Sequence, residues 1–392
     1  MSIMISGRLF MGDRRLAVMN LISGNGRGGS DRLALDISKG LKRSGHRVIW
    51  GAPEACELNR EALDAGLELY ALYPPAEKGV SAPRALVSFC RDEAIDIVNS
   101  HHSKDRHLLF SARFLDLRPK IVFTRHCILS GIPYIGASYY NLLDLNIAVS
   151  NVVKESLLRG GISKKKVAMI CGGIDIAKFS EPPEEEVSRI RREYRREGAF
   201  TIGIVGRYFG GKTFRPDSPS MKGHEFLFRA LSTIGNDFQV LVLGVWGDSD
   251  ILNLRRVAEY CGLSAERLTF CEFQKEIAAF YKIMDLNVLP SRNEGLGLTL
   301  IEAMAAGVPC IGADSGGIRE IITDGVDGLL FRHGDSRELA EKIRIMRDEK
   351  TKRDLFVSNG REKVKRFDIR RTVEETERVF YGLIQRKLKV KS

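Results

Sequence analysis

Residues 290–316 read PSRNEGLGLTLIEAMAAGVPCIGADSG. The apolar run Leu286–Leu289 leads into this stretch as a buried strand, and the Ala/Leu/Met-rich run that follows Gly297 can only be a helix. Between them lies a turn carrying Glu294, Gly295 and Gly297. In open α/β sheets such strand-to-helix corners sit at the carboxyl ends of the strands, where ligands bind and the helix start offers unpaired N–H groups to an anion. The glycines let a ligand approach the backbone closely. Glu294 and Glu302 are eight residues apart. On one helix that spacing puts them roughly 80° apart around the axis and two turns apart in height, so they would reach two ends of one extended ligand. An ordinary buried helix after a glycine turn accounts for the alanines but not for Glu302 in an apolar run.

Working outward, strand-like and helical runs alternate on both sides. Residues 15–22, 45–51, 67–72, 96–99, 120–124, 145–149 and 167–170 read as strands, separated by helical stretches such as 31–42, 105–114 and 152–158. Cys171–Pro183, CGGIDIAKFSEPP, interrupts the alternation with glycines and prolines and reads as a connection between domains. The pattern restarts with strands at 200–205, 238–243, 268–270, 286–289 and 309–311, and residues 335–389 are helical in pattern. Alternating β and α with apolar, parallel-type strands predicts an α/β chain of two doubly wound sheets.

The run E-G-L-G-L-T-L-I-E-A-M-A-A-G-V-P, with D-L-N-V-L-P-S before it and G-G-I-R-E-I-I-T-D-G-V-D-G-L-L-F after it, resembles glycosyltransferase family 4, the retaining nucleotide-sugar glycosyltransferases of the GT-B fold. The resemblance implies two Rossmann-like domains facing a cleft. Residues 1–178 form the acceptor side and 179–371 the nucleotide-sugar side, and a last helix within 372–392 crosses back to the first domain. It places diphosphate-binding roles on Arg207, directly after the strand TIGIVG, and on Lys222, in M-K-G-H. Glu294 would hold hydroxyls of the donor sugar and Glu302 those of the ribose, with Gly295, Leu296, Gly297, Leu298 and Thr299 lining the donor and their N–H groups facing the diphosphate. Gly28 and Gly29 match the family's N-terminal glycine loop. D-I-V-N-S-H-H-S resembles its D-[IV]-[IV]-H-x-H and puts the active-site histidine at His101, while His126, in F-T-R-H, matches a second recurring histidine.

The implied catalytic set is His101, Arg207, Lys222 and Glu294, acting with retention by attack on the face of the leaving group. The diphosphate receives the acceptor proton. No cofactor or metal is implied, the nucleotide sugar being a substrate. Three departures bear on specificity: an insertion between Arg207 and Lys222, Glu272 where relatives have Gly, and Arg319 where Pro is common. A protein of this fold that epimerises its nucleotide sugar, or only binds it, is the alternative reading.

Rivals from other classes are weaker. Gly206–Thr213, GRYFGGKT, satisfies the P-loop pattern after a strand. A P-loop nucleoside triphosphatase needs a helix opening at Lys212, whereas Pro216 and Pro219 follow. Asp248-Ser249-Asp250 reads as the D-x-D of metal-dependent sugar transferases, but it precedes the helical run Ile251–Tyr260, where Asp and Ser are good N-caps. A glycosidase would hold its two carboxylates closer than two helical turns allow.

With 392 residues the chain has room for two domains. No apolar run is long enough to span a bilayer, and the N-terminus shows no apolar signal core, so a cytoplasmic chain is expected, with its first dozen residues a poorly ordered leader. Seven scattered cysteines without C-x-x-C spacing fit reduced thiols. The net charge is +11, and residues 1–178 hold 25 Lys+Arg against 17 Asp+Glu, or +8 of it. That asymmetry on the acceptor side fits an enzyme peripheral to the inner, anionic face of a membrane that glycosylates a glycan or lipid-linked saccharide of the polysaccharide or lipopolysaccharide type. No specific nucleic acid is implied. Lys164–Lys166 beside Leu157 and Leu158 mark the expected membrane contact.

Overall fold

The computed structural model describes residues 14–72, 81–129, 134–208, 220–235, 237–272, 274 and 277–389. The expected leader, most of the insertion after Arg207 and the latter part of the P-loop match lie outside them.

The chain forms two compact units. The first holds residues up to 149, 154–171 and 369 onward; the second holds 150–153 and 172–368. The units part at 171/172 and 368/369, against the expected 178/179 and 371/372. The first unit carries a parallel sheet of β1 (Ala17–Leu21), β2 (Arg47–Ala52), β3 (Glu68–Ala71), β4 (Ile97–Ser100), β5 (Lys120–Arg125), β6 (Leu145–Ala148) and β7 (Val167–Met169). Their order across the sheet is β3-β2-β1-β4-β5-β6-β7.

The second unit carries β8 (Phe200–Val205), β9 (Phe238–Val245), β10 (Leu268–Glu272), β11 (Leu286–Leu289), β12 (Cys310–Ala313) and β13 (Leu329–Phe331), in the order β10-β9-β8-β11-β12-β13. All pairings are parallel. Helices cover both faces of such sheets, which is why the central strands read as continuous apolar runs: β4, β6, β11 and β12 are buried at every residue. In each sheet the order reverses once, between β1 and β4 and between β8 and β11. The loops leaving those strands are where a doubly wound sheet binds ligands.

The last helix, Ile369–Lys389, belongs to the first unit and lies on the Gly29–Arg43 helix. Val373 packs where Gly40 leaves no side chain. His46 takes the Leu16 N–H on Nδ1 at 3.2 Å, so its Nε2–H donates to Glu377 at 3.0 Å. Thr372 Oγ1 donates to the Cys171 carbonyl at 2.8 Å and Tyr381 Oη to that of Arg14 at 2.8 Å.

Two expectations change and one strand is new. The strand β13 was hidden in Leu329-Leu330-Phe331, three residues between turns, too short for a period to show. The helix expected at Ile251 begins at Gly247, so Asp248-Ser249-Asp250 forms its first turn; Asp250 Oδ2 accepts the Trp246 N–H at 2.9 Å, capping it from inside. Leu157 is fully buried and makes no surface contact beside Lys164–Lys166.

Candidate functional site

In the second unit the corner after β11 is built as its sequence requires. Pro290 and Ser291 leave the strand buried, Glu294 and Gly295 turn the chain, and Gly297 adopts φ +97°, ψ +50° as the residue before the helix Leu298–Ala306. Only glycine takes that conformation at little cost. Leu300 N–H closes on the Gly297 carbonyl at 2.9 Å. The N–H groups of Leu298 and Thr299 open the helix, and the buried Thr299 hydroxyl has no hydrogen-bond partner among the described residues. An anion oxygen would satisfy such groups.

Glu294 lies four residues ahead of the helix, not on it, which corrects the helical spacing expected between it and Glu302. Its Oε2 takes a hydrogen bond from Lys222 Nζ at 2.8 Å, with both side chains about one-fifth exposed (19% and 21%). The Lys222 stem runs along Gly206, the residue before Arg207. The exposed Arg207 guanidinium stacks over the Trp246 indole, 3.9 Å from Cζ to the ring centroid, the geometry of a cation–π contact. Arg207 and Lys222 after β8 and Glu294 after β11 thus come to one end of the sheet, where Trp246 follows β9.

Glu302 is half-buried in the second turn of the helix, where fully buried Tyr281 donates its hydroxyl to Oε2 at 2.8 Å. Burial, then the Glu302 charge, push the phenol well above its ordinary value, so it stays a donor. Of the residues named for specificity, Glu272 is exposed beside an irregularity in the β9–β10 register. Arg319 clamps Asp314 through Nε (2.5 Å) and Nη2 (3.0 Å).

In the first unit Gly28 precedes the Gly29–Arg43 helix and Gly29 is its first residue. Buried Asp31, in that first turn, accepts the N–H groups of Gly26 at 3.1 Å and Gly28 at 3.3 Å, and its other oxygen pairs with His102 Nε2. Burial opposes a charge on His102, but the Asp31 hydrogen bond and charge outweigh it and raise the imidazole above its usual value.

His101 is buried at the end of β4, with its N–H on the Leu21 carbonyl at 3.0 Å. Below it runs a polar chain through the sheet: Asn20 Nδ2 donates to Ser38, Thr124 Oγ1 to Asn99 Oδ1, and Asn99 Nδ2 to Asn20 Oδ1, at 2.7, 2.8 and 2.9 Å. Asn99 Nδ2 also lies 3.0 Å from His101 Nε2. Asn20 Oδ1, an acceptor, lies 3.3 Å from the same Nε2, and Nδ1 faces His126 Nε2 at 3.0 Å. The two rings stack with centroids 5.3 Å apart. Burial, then the neighbouring histidines, hold His101 well below its ordinary value, and burial leads in lowering His126 to about 3. Both are neutral imidazoles at physiological pH.

Tyr281, Trp246, Asp31 and the Asn20–Asn99–Thr124 chain are absent from the sequence reading. Tyr281 sits in the apolar run IAAFYKIM, where a core tyrosine is the ordinary expectation. Asn99 had a signal, standing where the motif D-[IV]-[IV]-H-x-H has its first histidine.

Residues 27–178 match the family model described as Glycosyltransferase Family 4, and residues 217–363 match that of the Glycosyl transferases group 1. The chain belongs to glycosyltransferase family 4. N-acetyl-alpha-D-glucosaminyl L-malate synthase of Bacillus anthracis is 25% identical over 379 residues, 91% of this chain and 95% of that protein. The putative glycosyltransferase EpsD of Bacillus subtilis is 35% identical over 136 residues, 35% of each chain. Among solved structures, Anabaena HepE in complex with UDP and glucose superposes with a TM-score of 0.80 at 21% identity, covering 94% of this chain and all of that one. This family 4 member therefore has the GT-B fold and is a glycosyltransferase.

Proposed function

We propose that the chain is a retaining glycosyltransferase that moves a sugar from a uridine-diphosphate sugar to a hydroxyl of a glycan or lipid-linked saccharide at the cytoplasmic face of a membrane, without a divalent metal. What carries this reading is the corner at Glu294–Thr299: an open helix N-terminus with an unpartnered buried hydroxyl, flanked by Lys222 on Glu294. Charge builds on the diphosphate as the glycosidic bond breaks, and fixed cations and N–H dipoles stabilise it without reorganising. Lys222, Arg207 and the Leu298 and Thr299 N–H groups would meet that charge, and a diphosphate oxygen would take the acceptor proton. Glu294 would orient the sugar hydroxyls and Glu302 the ribose. Neutral His101 and His126 would donate or accept hydrogen bonds without adding charge. Uridine is supported by Anabaena HepE, solved with UDP-glucose, and the bilayer by the basic first half.

The test is turnover with UDP-, GDP- and ADP-sugars, with and without EDTA. Transfer with retained anomeric configuration, strongest for a UDP-sugar and unchanged by EDTA, is expected. Turnover lost in EDTA and restored by Mn²⁺ would overturn the metal-free reading; interconversion of sugars without transfer would make the protein an epimerase.

Tyr281 supplies a second check. Tyr281→Phe keeps the ring and removes the hydrogen bond that aims the Glu302 carboxylate. A bond to a charged group contributes about 1.5–3 kcal/mol, so the donor KM should rise about tenfold or more with kcat nearly unchanged. An unchanged KM would show that Tyr281 does not position Glu302.

A further inference from the structure

The first unit exposes apolar side chains at the end of its sheet opposite the histidines. Phe114 is 75% exposed, Leu142 55% and Leu115 41%. They close the helices Asp105–Phe114 and Tyr134–Leu142, which precede β5 and β6. Contacts knit these ends into one surface. Phe110 stacks edge-on with Phe114 at 4.7 Å and against Tyr139 at 4.9 Å. Asn141 holds the turn before β7 by donating to the Gly161 carbonyl at 3.1 Å and accepting the Ser163 N–H at 2.8 Å. Lys166 Nζ reaches the Leu143 carbonyl at 2.7 Å.

That turn carries Lys164 and Lys165, both exposed. Arg113, Arg118, Lys120 and Lys166 add four more cations at the same end, against the carboxylates Asp116, Asp144 and Asp96, the last beside Lys120 and paired with Arg14. An exposed phenylalanine among leucines within a basic rim is what a peripheral protein presents to anionic lipid: apolar side chains enter the headgroup boundary while Lys and Arg meet the lipid charge.

We infer that the Phe114–Leu115–Leu142 patch, with the Lys164–Lys165 turn, is the docking surface for an anionic bilayer. This deepens the membrane reading above and moves its contact from buried Leu157 to this patch. Attachment through a few apolar side chains and a basic rim is reversible and salt-sensitive.

The test is co-sedimentation of the full chain with phosphatidylglycerol/phosphatidylcholine vesicles and with phosphatidylcholine alone, at low and moderate salt. The variants are Phe114→Ser with Leu142→Ser, and Lys164→Glu with Lys165→Glu. Sugar transfer to water or a soluble acceptor without vesicles is measured alongside, so that failure of docking and failure of the glycosyltransferase reading are told apart. Wild type should bind the anionic vesicles and lose binding with salt. Each Lys or Arg near such a surface contributes about fivefold in binding, so the charge reversal should weaken it more than 20-fold, and the serine pair about tenfold or more. Vesicle-free turnover should remain at wild-type level in both.

Wild type failing to bind, or both variants binding like wild type, overturns the inference. So does a wild-type dimer in light scattering that the serine pair converts to monomer, which would make the patch a self-interface.

Discussion

Lys222→Ala is expected to lower turnover by about 10²–10³-fold, the usual cost of removing one preorganised group that stabilises transition-state charge, with the fold intact. The lysine is placed by two constraints: its stem runs beside Gly206, and its ammonium is anchored on Glu294 at 2.8 Å. That anchor fixes a positive charge next to the open helix N-terminus before any donor arrives. Removing it takes away the cation and leaves the Glu294 carboxylate uncompensated beside a dianionic leaving group, so both changes act in the same direction. Stability should fall as well, because the pair is about four-fifths buried and the variant leaves the Glu294 charge without its partner, so turnover is read on protein that still melts cooperatively. The measurement is kcat and donor KM together with the melting temperature. A kcat within tenfold of wild type, in a folded variant, would remove Lys222 from the charge-stabilising role.

The second large effect is expected at a residue that touches no substrate. Gly317 has φ −69°, a conformation open to any residue, so backbone strain is not the reason for glycine there. Space is. A Cβ at 317 would lie 2.4 Å from the Gly295 carbonyl oxygen and 2.7 Å from Leu296 Cα, backbone atoms that cannot swing aside. The Gly317 N–H also donates to the Glu294 carbonyl at 2.8 Å, so this contact sets the height of the Glu294–Gly297 turn over the sheet. Gly317→Ala must push the turn away by several tenths of an ångström. Overpacking of this kind costs about 1–3 kcal/mol, equivalent to roughly 2–12 °C in melting temperature for a unit of this size. A displacement approaching 1 Å at a reacting group can cost about 100-fold in rate. We therefore expect kcat/KM to fall by about two orders of magnitude in protein that still melts cooperatively. Wild-type kinetics would mean that the turn tolerates displacement and that its position does not limit the reaction.

Gly317 also shows where sequence reading stops. Its neighbourhood, G-G-I-R-E, was legible as part of a family pattern, but the reason for glycine is a contact with residues 295 and 296, more than twenty positions away. Glu302 stood out because a carboxylate in an apolar helix breaks a pattern; Tyr281, its partner, did not, because a tyrosine in an apolar run obeys one. The sheets were legible for the same reason. Strands buried on both faces announce themselves as apolar runs, and most were found within two or three residues of their ends. The three-residue β13 offered no run to find. His101 stands out through its motif, whereas the Asn20–Asn99–Thr124 chain that its ring meets is assembled from three strands and has no linear trace. Asp31 and His102 stand 71 positions apart, and nothing linear joins them.

The seating of Ile369–Lys389 on the Gly29–Arg43 helix has a consequence for how the chain is made. During synthesis from the N-terminus, the face of the early helix that receives Val373 leaves the ribosome with its cover still more than 300 codons away. At 5–20 residues per second that interval is on the order of half a minute. The second unit, continuous from 172 to 368 apart from four residues at 150–153, has all of its chain before the cover appears. The order of completion is therefore reversed relative to the order of translation. The domain begun first is closed last, and a nascent chain truncated before residue 369 would carry a finished second unit while the first still shows an open apolar face for chaperones to hold.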